Sequence, residues 1–332
     1  MIKIGNKVVG DGHPILIIAE AANNHGGRFN TAVSMVKVAA EMGADAIKFQ
    51  CWTAEDFAVA SHSYYDLYKK VSFTKKQWKE LRDLAKEKNL LFFIDVLDEA
   101  SLNLMDELKI DAFKIHAGDI DNHSFIEKVA KKGRPVFLHT GSANYDEIKK
   151  AVVIIKKYNK NMIPFFGFQD YPTNLEQLNL NFIRTLKKEL SPVVSFMDHT
   201  TGVFAPVVAV GVGANIIEKH FSLNRKLKDY DWQSSVEPDK FKTMVKKIRD
   251  AEKTLGSSKL ILSDSEKKWL PVIRKHIVAK KEIKKGQRVK KSNIAMKRSK
   301  PGLKASELNK VLGKVAMHNI SKDNLILEKD LK

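Results

Sequence analysis

Two histidines, two lysines and one glutamate carry the chemistry that can be read from this sequence. His199 and His220 close two short apolar runs, Val193–His199 and Asn215–His220. Imidazoles at the ends of neighbouring strands can share a divalent metal and leave its other positions to water and substrate. The alternative is a pair of hydrogen-bonded histidines at a rim. Asp198 and Glu218 flank the pair and could orient such ligands. Lys48 and Lys114 lie inside apolar runs, Ala46-Ile-Lys-Phe-Gln50 and Ala112-Phe-Lys-Ile-His116. A lysine there is costly unless it meets an anion. Two of them point to a phosphate or carboxylate ligand, or to one Schiff-base lysine beside a second cation. Glu20 ends the run Ile15–Glu20, and Asn23-Asn24-His25-Gly26-Gly27 follows it. The glycine pair permits a tight loop with exposed amides, to which Asn23, Asn24 and His25 add polar contacts. Neither a Gly-x-x-x-x-Gly-Lys-Ser/Thr loop nor a Gly-x-Gly-x-x-Gly motif occurs, so no nucleotide cofactor is indicated.

These residues need a scaffold, and the sequence supplies a repeating one. Apolar runs rich in Ile, Val and Phe cover 15–20, 46–50, 91–95, 112–116, 136–140, 163–169, 193–199 and 215–220. Helical-period segments lie near 30–43, 75–89, 99–108, 122–132, 144–158, 174–190, 205–212 and 238–255. Continuous apolar strands alternating with helices predict a parallel sheet buried on both faces. Eight such units in about 240 residues predict an α/β fold of the closed (β/α)8 TIM-barrel type. Nearly every run ends in a polar or ionisable residue, among them Glu20, Gln50, Asp95, His116, His139, Gln169, His199 and His220. Active sites of this fold gather at the carboxyl ends of the strands, so the pattern predicts an enzyme. The first fourteen residues, with turns at Gly5 and Gly10–Gly12, suggest a hairpin closing the barrel bottom. Past Leu255 the pattern changes. A linker is expected over 256–276, with one helical turn near Glu266–Leu270. A small β-rich domain is expected over 277–332, with strands at Ile277–Ala279, Val311–Met317 and Leu325–Leu327.

Composition narrows the functional classes. The chain has 332 residues, 58 Lys+Arg against 39 Asp+Glu, and a formal charge of +19. From Lys259 to Lys332 there are 21 basic and 7 acidic residues, so a net +14 sits in the tail. No zinc-finger spacing, helix-turn-helix pattern or interleaved aromatic platform accompanies that charge, which argues against nucleic acid. The single cysteine, Cys51, excludes a disulfide framework. No apolar run approaches a membrane span and no signal-peptide layout opens the chain, so a soluble cytoplasmic protein is expected.

Taken in order, several segments resemble the sialic acid (N-acetylneuraminate, or nonulosonate) synthase family. They are Ala19-Glu-Ala-Ala-Asn-Asn-His25-Gly, Lys48-Phe-Gln50, Phe113-Lys-Ile, Thr140-Gly, Tyr171-Pro-Thr, Asp198-His-Thr200 and Ile217-Glu-Lys-His220-Phe, with Asp231, Ser235 and Pro238 beyond. The tail, from Ile277 through Gly286, Lys297-Arg298 and Gly313-Lys314, resembles that family's antifreeze-like SAF domain. The resemblance implies a barrel over 1–255 and a SAF domain over 277–332. It implies condensation of phosphoenolpyruvate with an N-acetylmannosamine-type amino sugar to a nine-carbon 2-keto acid and phosphate. On this reading His199 and His220 hold Mn²⁺ or Mg²⁺, and Lys48 and Lys114 grip phosphoenolpyruvate, with Glu20 acting at the sugar. Gln50, Tyr171 and Asp231 take sugar hydroxyls, and Asn23, His25 and Asp198 complete the binding set. Arg298 reaches the N-acyl group from a partner chain in a domain-swapped homodimer.

The sequence departs from that family where serine or threonine hydroxyls usually surround phosphoenolpyruvate, at Val96, Ala117, His139 and Met197. Gln169 replaces an asparagine. His116, His139 and Gln169 are the residues that could compensate, and the altered rim suggests an unusual acceptor sugar. A Schiff-base aldolase or lyase and a non-catalytic sugar-acid binding protein are the competing functions.

Overall fold

A computed structural model describes residues 1–332, which form two compact units, Met1–Gly256 and Ser257–Lys332. In the first unit the strands are β1 (Ile2–Ile4), β2 (Lys7–Val9), β3 (Leu16–Ala22), β4 (Ala46–Cys51), β5 (Leu91–Val96), β6 (Ala112–Ile115), β7 (Val136–His139), β8 (Met162–Phe166), β9 (Ser195–Asp198) and β10 (Ile216–His220). Its helices are α1 (Phe29–Glu41), α2 (Ala54–Phe57), α3 (Tyr65–Val71), α4 (Lys75–Glu87), α5 (Glu99–Glu107), α6 (His123–Lys131), α7 (Tyr145–Tyr158), α8 (Phe182–Glu189), α9 (Phe204–Val212) and α10 (Pro238–Leu255). Strands β3 to β10 close a parallel barrel in the order β10-β3-β4-β5-β6-β7-β8-β9. The expected eight-stranded α/β barrel is therefore present.

Alternation along each strand divides the core into two layers. Outward residues such as Ile17, Ile47, Phe92, Ile94 and Phe113 pack on the apolar stripes of the surrounding helices. Inward residues Leu16, Ile18, Phe93, Phe137 and Phe165 fill the lower barrel, where Ile2, Ile4 and Val9 of the antiparallel β1–β2 hairpin join them. Toward the carboxyl ends the inward positions change character, from Ile18 to Glu20 and from Phe93 to Asp95. The apolar plug below thus fixes the height at which ionisable side chains enter. Several helices start from reciprocal caps that pin their entry angle, as at Thr74 with Gln77 and Asn144 with Glu147.

The structure differs from the sequence expectations in both units. The helix expected over 174–190 is a short 3₁₀ turn at Leu175–Gln177 followed by α8, because Asn179 takes a left-handed conformation (φ 43°) between them. Between Cys51 and Lys75, where no element was expected, α2 and α3 form. In the second unit α11 (Asp264–Ile273) exceeds the single turn expected there. It precedes β11 (Lys275–Ala279), which pairs antiparallel with β12 (Ile294–Arg298) around a core that includes Ile277, Ile283, Val289, Val311 and Ile326. The strands expected at 311–317 and 325–327 are single bridges instead, Arg288–Val315 and Val278–Leu325 among them. No helix is long and apolar enough to cross a membrane.

Candidate active site

At the carboxyl end of the barrel, three carboxylates and two ammonium groups share one buried layer. Lys48 on β4 contacts Glu20 on β3, lies 2.8 Å from Asp95 Oδ1 on β5 and 3.2 Å from Glu218 Oε2 on β10. Lys114 on β6 lies 3.4 Å from Asp95 Oδ2 and 3.3 Å from Glu218 Oε1. All five side chains are at most 2% exposed. Burial alone would push Lys48 toward its neutral form. The carboxylates of Asp95, Glu20 and Glu218 outweigh that effect and hold its pKa well above the usual lysine value. Burial likewise opposes ionisation of Asp95, but Lys114 and Lys48 keep its pKa below the ordinary carboxylate value. Three carboxylates against two cations leave one negative charge in excess. Glu20 carries the imbalance: desolvation, reinforced by Glu218 and Asp95 against the pull of Lys48, raises its pKa to about 8. A shift in strand pairing between Glu20 and Ala22 sets its position, and Ala22, at φ 41°, donates its N–H to Glu20 Oε1 at 2.5 Å.

His199 and His220 stand beside this layer with ring centroids 5.0 Å apart, and Tyr171 stacks on His199 at 4.1 Å. Burial lowers the pKa of both imidazoles well below the ordinary value, so both are neutral at pH 7. Both ring nitrogens of His199 and Nδ1 of His220 are buried without a hydrogen-bond partner. Neutral imidazoles with free nitrogens are the form that binds a transition metal such as Mn²⁺, so the pair fits two positions of a divalent ion. No group of three or more His, Cys, Asp or Glu side chains is arranged to hold a metal by itself. The remaining ligands would have to be water or substrate.

Two cavities meet here. The inner one, about 10 Å³, is walled by the charged layer with His116, His139, Gln169, Tyr171, Met197 and His220. The outer one, about 510 Å³, opens above it, and Gln50, His116, Gln169 and Tyr171 line both. At the positions where hydroxyls were missed, Met197 Sδ sits 3.3 Å from Lys114 Nζ. Gln169 Nε2 bridges His116 Nε2 at 3.1 Å and His139 Nδ1 at 3.2 Å. Burial lowers the pKa of His116 to about 4 and that of His139 well below 6.5. Asn23 donates to Gln50 at 2.6 Å, and Asp231 Oδ2 lies 3.9 Å from His220 Nδ1, so the structure brings both to the outer cavity.

Four candidates do not line these cavities, one of them His199, which is packed against Tyr171 and His220. His25 packs against Phe73 at 4.5 Å and accepts the Gly27 N–H. Asp198 points away from the barrel axis, accepting from Lys219 Nζ at 2.8 Å and from Thr200 N at 2.9 Å. That pair braces the ends of β9 and β10, and so the two histidines next to it. Arg298 is exposed at the end of β12 in the second unit.

Sequence reasoning missed the part Asp95 and Glu218 play as counter-charges, although an ionisable residue inside Leu-Phe-Phe-Ile-Asp-Val was the available signal. It also missed Trp52, Tyr64, Leu67, Tyr68 and Val71 on the outer cavity. Gly27 holds that second group in place. At φ +77°, its backbone runs so close to the Lys70 carbonyl of α3 that an added Cβ would collide with it. Gly27→Ala is expected to lower stability by about 1–3 kcal/mol through overpacking and strain. A urea midpoint equal to that of the parent would remove this account.

The comparisons with known proteins agree with this geometry. The sequence matches the NeuB family over residues 35–260 and the SAF domain over residues 274–332. It is 38% identical to an uncharacterized protein of Methanocaldococcus jannaschii over 99% of this chain and 98% of that one. It is 34% identical to N,N'-diacetyllegionaminic acid synthase of Campylobacter jejuni, over 94% of this chain and 99% of the relative. Among solved structures, N-acetylneuraminic acid (sialic acid) synthetase from Leptospira borgpetersenii, in complex with citrate, superposes with a TM-score of 0.77 at 36% identity. That match covers 81% of this chain and 94% of the other. The chain is therefore an enzyme of the NeuB family, a synthase barrel followed in sequence by a SAF domain.

Proposed function

We propose that the barrel condenses phosphoenolpyruvate with the open-chain aldehyde of an N-acyl amino sugar of the N-acetylmannosamine type. The enol carbon bonds to the aldehyde carbon, water adds at the phosphate-bearing carbon, and phosphate leaves, giving a nine-carbon 2-keto sugar acid. One observation carries the reading: two buried ammonium groups, a carboxyl that keeps its proton near neutral pH and the neutral His220 imidazole line one small cavity, with the neutral His199 imidazole packed beside His220. Lys48 and Lys114 would hold the donor's anionic groups, with Gln169, His116 and His139 in place of the missing hydroxyls. Protonated Glu20 would supply the proton that the aldehyde oxygen takes up as the new bond forms. Mn²⁺ or Mg²⁺ at His199 and His220 would contribute Lewis-acid polarisation of the aldehyde. Asn23, Gln50, Tyr171 and Asp231 would orient the sugar hydroxyls.

A Schiff-base mechanism fits less well. Lys48 is held charged by the buried acidic side chains around it, Asp95 foremost, whereas such a nucleophile needs a free amine. The test is to incubate the protein with Mn²⁺, phosphoenolpyruvate and a panel of 2-acylamino hexoses. Phosphate release that requires the sugar, with a three-carbon addition by mass spectrometry, supports the reading. Silence across the panel rejects it. The reading includes a cytoplasmic homodimer in which a second copy brings its Arg298 to the N-acyl group. Sedimentation equilibrium and the acceptor KM of Arg298→Ala test that part.

The proton on Glu20 gives a pH prediction. With its pKa raised to about 8, Glu20 is protonated below that value and loses the proton above it. Turnover is expected to be level from pH 6.5 to 7.5 and to fall about tenfold per unit beyond pH 8 to 9. In Glu20→Gln the residual rate should show no such limb. A limb that persists unchanged in Glu20→Gln would assign the proton elsewhere.

A further inference from the structure

Strands β9 and β10 stop pairing one residue before their histidines. The last paired residues between them are Asp198 and Lys219. On the other side of β9 the ladder with β8 ends earlier still, at Phe166 and Phe196. His199 therefore lies beyond the last ladder pair on both of its sides. His220 does not, because it is still in register with Glu20 of β3. The barrel fixes one imidazole of the pair and leaves the other on a strand end.

Lys219 spans that gap. Its side chain alternates outward from the barrel, opposite to His220, on the face where Phe196 and Ile217 pack. There its ammonium group donates to Asp198 Oδ2 at 2.8 Å and to the Thr200 carbonyl, the residues immediately before and after His199. Asp198 Oδ1 also accepts the Thr200 N–H at 2.9 Å, which draws the chain into a tight loop around His199. One side chain of β10 thus grips β9 on both sides of one imidazole, while its own backbone carries the other.

Stability gives no reason for this arrangement. Both side chains of the pair are 0% exposed, and the outward residues just before them, Phe196 and Ile217, are apolar. Exchanging a buried ion pair for apolar residues is often neutral or stabilising. What an ammonium group supplies and an apolar pair lacks is direction, since its N–H bonds fix where the Thr200 carbonyl lies. Direction matters at this point of the barrel. No third His, Cys, Asp or Glu side chain completes a metal site here, so the ion depends on the spacing of two imidazoles whose ring centroids are 5.0 Å apart.

We propose that Lys219 is a positioning residue for the metal: by tying Asp198 and Thr200 to β10, it holds His199 at the spacing from His220 that a divalent ion requires. The inference rests on the metal part of the condensing reading and adds the residue that preorganises it. Lys219 acts through the strand end, without touching the ion.

The test measures Mn²⁺ binding to the full-length, chelator-treated protein by calorimetry, with no substrate present. Lys219→Met/Asp198→Asn is used because Lys219→Met alone would leave a buried carboxylate unpaired. Asparagine still accepts the Thr200 N–H. This double variant is expected to unfold in urea near the parent's midpoint and to bind Mn²⁺ about 10–100-fold more weakly. The Mn²⁺ concentration that half-activates phosphate release should rise by the same factor. Lys219→Arg, which keeps a buried cation facing Asp198 and Thr200, should recover most of the affinity. If the methionine variant does not fold, Lys219→Gln/Asp198→Asn takes its place with the same expectation, since it keeps an amide bond between the strands but not the grip on Thr200. Parent-like Mn²⁺ affinity in the double variant, or a loss that Lys219→Arg shares in full, overturns the positioning role. A parent protein that binds no Mn²⁺ overturns the metal reading itself, and this inference with it.

Discussion

Replacing Lys48 with methionine is expected to lower turnover by about 10²–10³-fold or more and to cost about 3–5 kcal/mol of stability. Both effects have one origin. Lys48 is the only cation that touches all three carboxylates of the layer, contacting Glu20 and lying 2.8 Å from Asp95 and 3.2 Å from Glu218. Methionine keeps much of the volume but leaves Lys114 as the partner of Asp95 and Glu218 only, and Glu20 with no cation in contact. A second substitution separates the two consequences. Asp95→Asn removes one of the uncompensated charges, so Lys48→Met/Asp95→Asn should recover a large part of the lost stability in urea unfolding. It should recover no turnover, since the donor's cationic partner is still missing. If the single variant unfolds at the parent's urea midpoint, the charged layer is not the coupled unit described here.

The barrel itself was legible because its signal is redundant. Each strand repeats the same statement, an apolar run buried on both faces and ending in a polar group, so a misjudged boundary at one strand changes nothing. The charged layer was half legible. Lys48 and Lys114 stand out as cations in apolar runs, but a sequence does not give distances across a barrel. It could not say that Glu20, Asp95 and Glu218 converge on them within about one side-chain length. The outer wall was not legible, and the reason is physical. Helix α3 has seven residues and no side-chain cap at Tyr64, too short to stand on its own periodicity. Its position depends on close approach to the Gly27 backbone, a tertiary contact no local pattern announces. Strand β12 escaped for a similar reason. Ile294–Arg298 carries two basic residues at its end, and its partner β11 lies about fifteen residues earlier across a turn-rich stretch.

The layer also shows how electrostatics divides labour among like groups. Asp95 and Glu20 are both fully buried carboxyls in contact with lysine, yet their pKa values move in opposite directions. Asp95 faces both ammonium groups closely, whereas Glu20 contacts one and feels two other carboxylates. Position within the charge pattern, not burial, makes one a fixed counter-ion and the other a proton carrier.

The histidine pair leads to the second large expectation, in which function and stability move apart. His199→Leu is expected to reduce turnover by about 10³-fold, because an electrophile worth several kcal/mol in the transition state loses a ligand. In chelator-treated protein the same change should leave urea stability equal to the parent's or higher. Both His199 nitrogens are buried without hydrogen-bond partners, and burying unpaired polar atoms carries a cost of about 1–3 kcal/mol that leucine does not have. Tyr171, stacked 4.1 Å from the imidazole, can pack on leucine as well. Mn²⁺ at a hundredfold excess over its Kd should stabilise the parent by about 2.7 kcal/mol and His199→Leu not at all. The three readouts together distinguish a metal ligand from a packing residue. A core histidine would show lost stability with or without Mn²⁺ and no selective loss of the metal-induced shift. A ligand leaves the metal-free fold intact, loses the shift and loses turnover. The buried, unpartnered imidazole is then a stability cost retained because the chemistry needs it.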